Sequence, residues 1–416
     1  MDFLEICFWM SAALVIYTYL GYPIILSTLA RTRRRGVVHT KTSLPSVSVV
    51  LAAYNERSVI GRRLEELTKL VSLTGVKGEV ILVSDGSTDG TAEVARQRAP
   101  GSVVVLDLPR NRGKAAALSA GCAAAQNEII VFADARQSWA PGALRLLLEN
   151  FSDPAVGAVS GDLVIESSPG VLAGVGLYWR YEKWLRKQES RVHSTIGVTG
   201  AISAVRRELF QPVPEGTILD DVYWPLTVAM RGFRVLHDER ARAHDRLPDR
   251  TSDEFRRKLR TLSGNFQLLM RLPAALLPWR NPVWLQFVSH KLLRLLVPWM
   301  LPAMLASSVL LEGTAYRLAF WMQASFYLIG IAGIWAGARL PFRLVSATAS
   351  FLVLNAAAWL AFWVWASGSA ARSWRKAIYE APIWPLEPVH QASRLAMLPR
   401  GERGNPEEHP HPALSA

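Results

Sequence analysis

The sequence predicts an α/β fold, a Rossmann-like, mostly parallel sheet with flanking helices, joined to α-helical transmembrane segments. Three observations carry this. Short runs rich in Val, Ile and Phe end abruptly in polar residues, as fully buried strands do. These runs alternate with amphipathic stretches at helical spacing, the pattern of a parallel sheet with helices on both faces. Long apolar runs occupy the first 30 residues and the region after about 290, and a span of ~20 apolar residues crosses the hydrocarbon.

The clearest strand is Glu128-Ile129-Ile130-Val131-Phe132-Ala133, which releases Asp134-Ala135-Arg136. Glu79–Ser84 is a second, ending in Asp85-Gly86-Ser87, and Val47–Ala52 a third, ending in Ala53-Tyr54-Asn55-Glu56. Ligands of open parallel sheets bind just past the C-terminal ends of strands. A carboxylate after one strand is also a common helix N-cap. Three polar strand ends in register favour a site. Between them, Ile60, Leu64, Leu67 and Val71 fall at helical spacing, and Thr91–Arg98 and Gly113–Ala125 read as helices. Ser102–Leu106 and Val156–Gly161 read as strands. A helix is expected from Pro141, proline suiting the first helical position, through Asn150.

The chain has 416 residues, half of them hydrophobic, with 15 Trp and a formal net charge of +13. A nucleic-acid binder would gather that charge with aromatics on one domain. Here much of it flanks apolar segments, as in Arg31-Thr32-Arg33-Arg34-Arg35, so membrane lipids are the expected partner and nucleic acid is not. The two cysteines, Cys7 and Cys122, lack metal-ligand spacing and fall in different compartments. The eight His show no H-x-x-x-H pattern, which argues against zinc.

The expected organisation is a transmembrane helix over 1–30, a basic cytoplasmic linker over 31–44 and the α/β domain over 45–250. Basic and interfacial helices follow over 251–290. About three spans fill 291–366 (near 294–311, 318–338 and 344–366), and a tail over 367–416 is partly disordered. Tyr178, Trp179, Arg180, Tyr181, Trp184 and Arg186 lie on an amphipathic stretch that packs on the sheet or at the lipid interface, or touches substrate. Three spans after a cytoplasmic domain leave the C-terminus outside, against the positive-inside trend of Arg372, Arg375 and Lys376.

Nucleotide-loop motifs fail. Arg110-Asn111-Arg112-Gly113-Lys114 has Leu108 where a P-loop needs its first Gly, and Ala115 where it needs Ser or Thr. Ser84–Gly90 lacks G-x-G-x-x-G, and Gly86 and Gly90 simply permit tight turns.

Four segments in order resemble family 2 glycosyltransferases of the GT-A fold: Val49–Glu56, Val83–Thr91, Asn111–Ala115 and Phe132–Ala135. The resemblance covers roughly residues 45–270, and the apolar flanks resemble the synthase-like branch that includes cellulose, hyaluronan and poly-N-acetylglucosamine synthases. It implies that Ala53, Tyr54, Asn55, Glu56, Asp85 and Lys114 hold the donor nucleotide. Asp134 stands as the first Asp of the family's D-x-D, holding Mg2+ or Mn2+ on the donor diphosphate. The second Asp is replaced by Arg136, a cation suited to phosphate. Thr199-Gly200-Ala201 matches the acceptor-side turn, and Asp220-Asp221 the acidic pair whose second member is the general base. Arg257-Lys258-Leu259-Arg260-Thr261 stands where the family has Q-x-x-R-W; Arg257 and Arg260 supply phosphate-binding cations, and Thr261 replaces the acceptor-lining Trp.

The expected activity is inverting transfer from a nucleotide-sugar, a UDP-sugar first, to a lipid-linked or saccharide acceptor. It takes place at the cytoplasmic face of the inner membrane, with room for biosynthetic-complex subunits. Processive polysaccharide synthesis and a non-catalytic membrane scaffold are the competing readings. A transporter needs ionisable residues inside its spans, and 344–366 has none.

Overall fold

The computed structural model describes residues 2–33, 35–38, 43–98, 101–166, 173–246, 251–336 and 343–369. Part of the expected linker, the basic cluster at 372–376 and the expected disordered tail lie outside them.

In chain order, α1 (Phe3–Ile16) and α2 (Tyr22–Thr32) are joined through a π-helical turn at Tyr17–Gly21. Then come β1 (Val47–Ala53), α3 (Arg57–Thr74), β2 (Gly78–Asp85), α4 (Thr91–Arg98), β3 (Val103–Leu108), α5 (Lys114–Ala124) and β4 (Ile129–Ala133). These are followed by β5 (Ser138–Trp139), α6 (Ala143–Glu149), β6 (Val156–Glu166), α7 (Ala173–Val192), β7 (Ile202–Arg206), α8 (Asp220–Met230), β8 (Arg234–Arg246) and α9 (Thr251–Arg271). The last helices are α10 (Trp284–Phe287), a π-helical turn at Val288–Leu292, α11 (Leu293–Leu310), α12 (Thr314–Ala336) and α13 (Arg343–Ala366).

The eight strands form one sheet in the order β3-β2-β1-β4-β7-β6-β8-β5. β3, β2, β1 and β4 run parallel, as the alternation of runs predicts. β7 then enters antiparallel between β4 and β6, and β6 pairs parallel with β8. Along β1, successive side chains leave on opposite faces. Val47, Val49 and Leu51 pack with Ile60, Leu64 and Leu67 of α3. Val50 packs on the other face with Ala117 and Leu118 of α5 and with Phe132 and Trp224. Burying a Leu or Ile in such a core stabilises by roughly 1.5–3 kcal/mol, so this sandwich fixes the strand ends firmly.

One boundary differs from expectation. Helix α6 begins at Ala143, not at Pro141, because Gly142 takes a left-handed φ of 77° at the N-cap and the chain turns there first.

Among the described residues, four helices are long and apolar enough to cross a membrane: Phe3–Thr32, Trp284–Leu310, Thr314–Ala336 and Leu344–Ala366. They leave Trp321, Leu328 and Trp335 exposed. A buried polar chain links the first two of them to α7. Tyr22 donates to Glu189 at 2.7 Å, and His290 bridges Glu189 and Glu182 at 2.7 and 2.8 Å. Arg294 completes it, donating to Glu182 at 2.9 Å.

Candidate active site

The sheet topology brings the polar strand ends together. β1 pairs with β2 through Ala53 opposite Ser84, and with β4 through Leu51 opposite Ala133. All three strands therefore end at one edge. β7 starts opposite Ala133, at Ile202, because it runs the other way. The turn Thr199-Gly200-Ala201 that precedes it is delivered to the same edge.

The loops after β1 and β2 interlock. Asn55 adopts a left-handed φ of 54°. Its backbone N–H donates to Ser87 Oγ at 3.1 Å, and its side-chain oxygen accepts the Thr88 N–H at 2.8 Å. The Glu56 N–H donates to Thr91 Oγ1 at 2.9 Å. Asp85 is buried, and its two oxygens accept the backbone N–H groups of Arg112 and Gly113, each at 2.8 Å. In this state Asp85 thus anchors the Asn111-Arg112-Gly113 loop. Gly86 makes that docking sterically feasible: a Cβ there would lie 2.3 Å from the Arg110 carbonyl carbon and the Asn111 nitrogen.

At the end of β4, Asp134 Oδ1 accepts a hydrogen bond from Lys114 Nζ at 2.7 Å, with the carboxylate 29% exposed. Burial alone raises the Asp134 pKa, but Lys114, Arg136 and Arg63 outweigh it and hold the carboxyl below its usual value. Burial likewise lowers Lys114, yet Asp134, Asp220 and Asp221 prevail and raise it. Gly200 faces this pair: a Cβ added there would stand 2.9 Å from Lys114 Nζ.

The acidic pair opens α8. Burial pushes Asp220 up to about 6, against Lys114 and with help from Asp221 and Asp134. Asp221 is raised too, chiefly by burial, with Lys114, Lys291 and Arg186 opposing and Asp134 adding to the rise. Neither forms a side-chain N-cap, so helix capping does not account for them. Arg260 of α9 is lowered by burial, with Asp220 and Asp221 acting against that. Asp134, Lys114, Gly200, Asp220, Asp221 and Arg260 therefore belong to one electrostatic neighbourhood. Arg257 lies about a turn earlier on α9, where its carbonyl accepts the Thr261 hydroxyl at 2.9 Å.

Sequence reasoning missed Arg63 and Trp139. Arg63 is buried, donates from Nε to the Asp134 carbonyl at 3.1 Å, pairs with Glu66 at 2.9 Å and lies over the Trp139 ring. The Trp139 indole donates to the Ala201 carbonyl at 2.8 Å, tying the strand ends to the 199–201 turn. The signal was present: Arg63 stands three residues after Ile60, on the apolar face of α3. Among the described residues no cluster of three or more His, Cys, Asp or Glu side chains is set to hold a metal ion.

Residues 48–213 match the glycosyl transferase family 2 model. A poly-beta-1,6-N-acetyl-D-glucosamine synthase of Staphylococcus aureus (strain COL) is 25% identical over 235 residues, covering 55% of this chain and 56% of that one. The Staphylococcus epidermidis (strain ATCC 35984) protein of the same description is 22% identical over 271 residues, covering 64% and 63%. The chain thus spans little more than half the length of the curated relatives it matches. Among solved structures, a mannosyltransferase of Pyrobaculum calidifontis in complex with GDP-Man and Mn2+ aligns with TM-score 0.60 and 22% identity over 84% of this chain and 98% of that one. At that identity the likeness is one of fold. By its sheet, its motifs and the match over 48–213, the chain carries a GT-A-like domain that resembles the family 2 glycosyltransferases.

Proposed function

We propose that the chain transfers a sugar, with inversion, from a nucleotide-sugar to a saccharide or lipid-linked acceptor at the cytoplasmic face of a membrane. The observation that carries the reading is the convergence of Asp134, Lys114 and the Asp220-Asp221 pair beside the Gly200 turn. A UDP-sugar is the first donor to test.

In this reading the loops at Ala53–Glu56 and Asp85 hold the nucleoside. Lys114, Arg136, Arg257 and Arg260 receive the diphosphate. Asp221 takes the proton from the acceptor hydroxyl as its oxygen bonds to the anomeric carbon. The bond from that carbon to the diphosphate oxygen breaks on the opposite face, and the diphosphate leaves with the electron pair. A base with a raised pKa is suited to this near neutral pH. Thr199, Gly200 and Ala201 line the approach of the acceptor.

The donor set fits a divalent ion shared with the substrate. Asp134 is a partly exposed hard-oxygen ligand whose Oδ1 is engaged by Lys114, and Mg2+ commonly sits on one or two carboxylates plus substrate phosphates. Bound there, such an ion would offset the charge that develops on the leaving diphosphate.

The names of the staphylococcal relatives favour a second reading, processive synthesis of a polysaccharide. Thr261, in place of the family Trp, weakens it. The test is a donor screen on the detergent-solubilised full chain. Nucleoside diphosphate release and product length are followed with and without Mn2+, for wild type and Asp221→Asn. Failure to turn over any sugar nucleotide, or full activity in Asp221→Asn, would remove the proposal. A ladder of long products would select the processive reading.

A further inference from the structure

The Asp220-Asp221 pair opens α8 without a side-chain cap of its own. What places it is the segment 213–219 before it, which lies outside any helix or strand. The backbone groups of such a segment need partners from elsewhere. Here α9 supplies them.

Gln267 grips the segment with both ends of its amide. Its side-chain oxygen accepts the Ile218 N–H at 2.9 Å, and its nitrogen donates to the Gly216 carbonyl at 2.9 Å. One turn on, Arg271 donates to the Pro214 carbonyl at 3.1 Å and to Thr217 Oγ1. One turn back, Gly264 lets helix and segment close up: a Cβ there would lie 2.8 Å from Ile218 Cγ2 and from Leu219 Cγ. At the start of the segment, the Val213 N–H donates to Ser119 Oγ of α5 at 3.0 Å. At its end, the Leu219 carbonyl accepts the N–H groups of Val222 and Tyr223 at 3.2 and 2.9 Å and so begins α8. Holding Ile218 and Leu219 therefore sets the direction in which Asp220 and Asp221 leave the chain.

Helical spacing explains how one helix does this. Arg260, Gly264, Gln267 and Arg271 follow at intervals of four, three and four residues, which share one helix face. Arg260, at the head of that row, lies in the field of the acidic pair. Phe266 leaves from the opposite side, where its ring meets those of Phe362 and Trp365 on α13 at 5.5 and 5.7 Å. One face of α9 is thus fixed on an apolar span while the other grips the segment.

We propose that Gln267, supported by Arg271, is a positioning residue for the acidic pair: it holds 214–218 so that the Asp221 carboxylate meets the acceptor hydroxyl. The inference rests on the glycosyltransferase reading above and adds to it a residue that acts through Asp221. A misplacement of about 1 Å at a reacting group costs on the order of 100-fold in rate. The grip therefore matters for turnover and not for donor binding.

The experiment uses the full chain in lipid nanodiscs. Nucleoside diphosphate release is followed from UDP-glucose, UDP-N-acetylglucosamine and GDP-mannose, with maltotriose, chitotriose or a polyprenyl phosphate as acceptor. UDP and GDP affinities are measured alongside. Gln267→Met keeps the bulk of the side chain and removes its hydrogen bonds. Its kcat should fall about 10- to 100-fold, while nucleotide Kd stays within about twofold. Arg271→Met should lower kcat in the same way, and Arg271→Lys, which still donates, should restore most of it. On the residual turnover of Asp221→Asn, Gln267→Met should cost less than about twofold more, because the group it positions is gone. Unchanged kcat in both Gln267→Met and Arg271→Met would overturn the inference. So would a loss of nucleotide affinity that matches the loss of rate, or an undiminished effect in the Asp221→Asn background, since either makes α9 a general support of the fold. Turnover of no sugar nucleotide by wild type, or full activity in Asp221→Asn, would instead remove the transferase reading beneath it.

Discussion

Lys114 Nζ stands 2.7 Å from Asp134 Oδ1, joining the start of α5 to the end of β4 across the edge where three parallel strands terminate. In the proposed reading this ammonium meets the donor diphosphate. It also keeps Asp134 ionised. Lys114→Met should therefore raise the Asp134 pKa and weaken nucleotide-sugar binding. The expected loss is about 10- to 100-fold in Kd, roughly 1.4–2.8 kcal/mol. Calorimetric titration of the donor checks it, and an unchanged Kd would show that the ammonium faces away from the donor.

Gly200→Ala separates stability from activity. The added Cβ meets the far end of a flexible side chain, Lys114 Nζ at 2.9 Å, so the fold can yield cheaply. The thermal midpoint should move by no more than about 2 °C, a few tenths of a kcal/mol. Lys114 is pushed off Asp134, however, and kcat/KM should fall about tenfold, or roughly 1.4 kcal/mol. Thermal melts and initial rates on one preparation decide the matter.

The pH dependence follows from the acidic pair. Burial raises both carboxyls, Asp220 to about 6. A general base works only when deprotonated, and the Asp221 carboxyl is raised by burial, so kcat/KM should fall on the acid side at a pH above the ordinary carboxylate range; Asp220→Asn, which removes a neighbouring acid, should move that limb to lower pH. The stability effect has the opposite sense. A carboxyl whose folded pKa is raised from 3.8 favours folding while protonated, and that contribution fades as pH rises through about 6. Asp220→Asn should thus leave stability nearly unchanged near pH 4. At pH 8 it should increase it, by up to about 3 kcal/mol at roughly 1.4 kcal/mol per pKa unit. Melts across that range test the sign.

His290→Ala removes the imidazole that bridges Glu182 and Glu189. Leaving a buried hydrogen-bonding carboxylate oxygen without its partner costs about 1–3 kcal/mol. The detergent-solubilised variant should melt well below wild type, whereas a surface change such as Arg145→Ala, whose side chain is 61% exposed, should not.

The parallel half of the sheet was legible because β1, β2 and β4 are buried on both faces and read as unbroken apolar runs. β8 was not, because its sequence, Arg-Val-Leu-His-Asp-Glu-Arg-Ala-Arg-Ala-His-Asp-Arg, looks like a solvated segment. Its charges are answered by tertiary partners that sequence does not display. Arg234, for instance, donates to the backbone carbonyls of Gly36, Arg35, Ser190 and His193. β7 escaped notice because it is only five residues long and follows directly on the Thr199-Gly200-Ala201 motif. At the candidate site Asp85 and Asp134 were legible from their places after strands, and Asp220-Asp221 from the family resemblance. What holds them was not: Arg63 reaches Asp134 through a backbone carbonyl, and Asp85 spends both oxygens on a loop 27 and 28 residues away.

The Tyr22–Glu189–His290–Glu182 chain bears on how the enzyme could be divided. Two of its carboxylates stand on α7, within the segment 45–250, while the phenol, the imidazole and the Arg294 guanidinium come from the apolar helices on either side in sequence. Excising the sheet domain as a soluble fragment would strand Glu182 and Glu189 without their counterparts, on the same helix that carries Arg186 toward Asp221. The apolar helices thus brace α7 from within, and in the proposed reading a fragment cut at residue 250 should lose acceptor-dependent turnover before it loses nucleotide affinity.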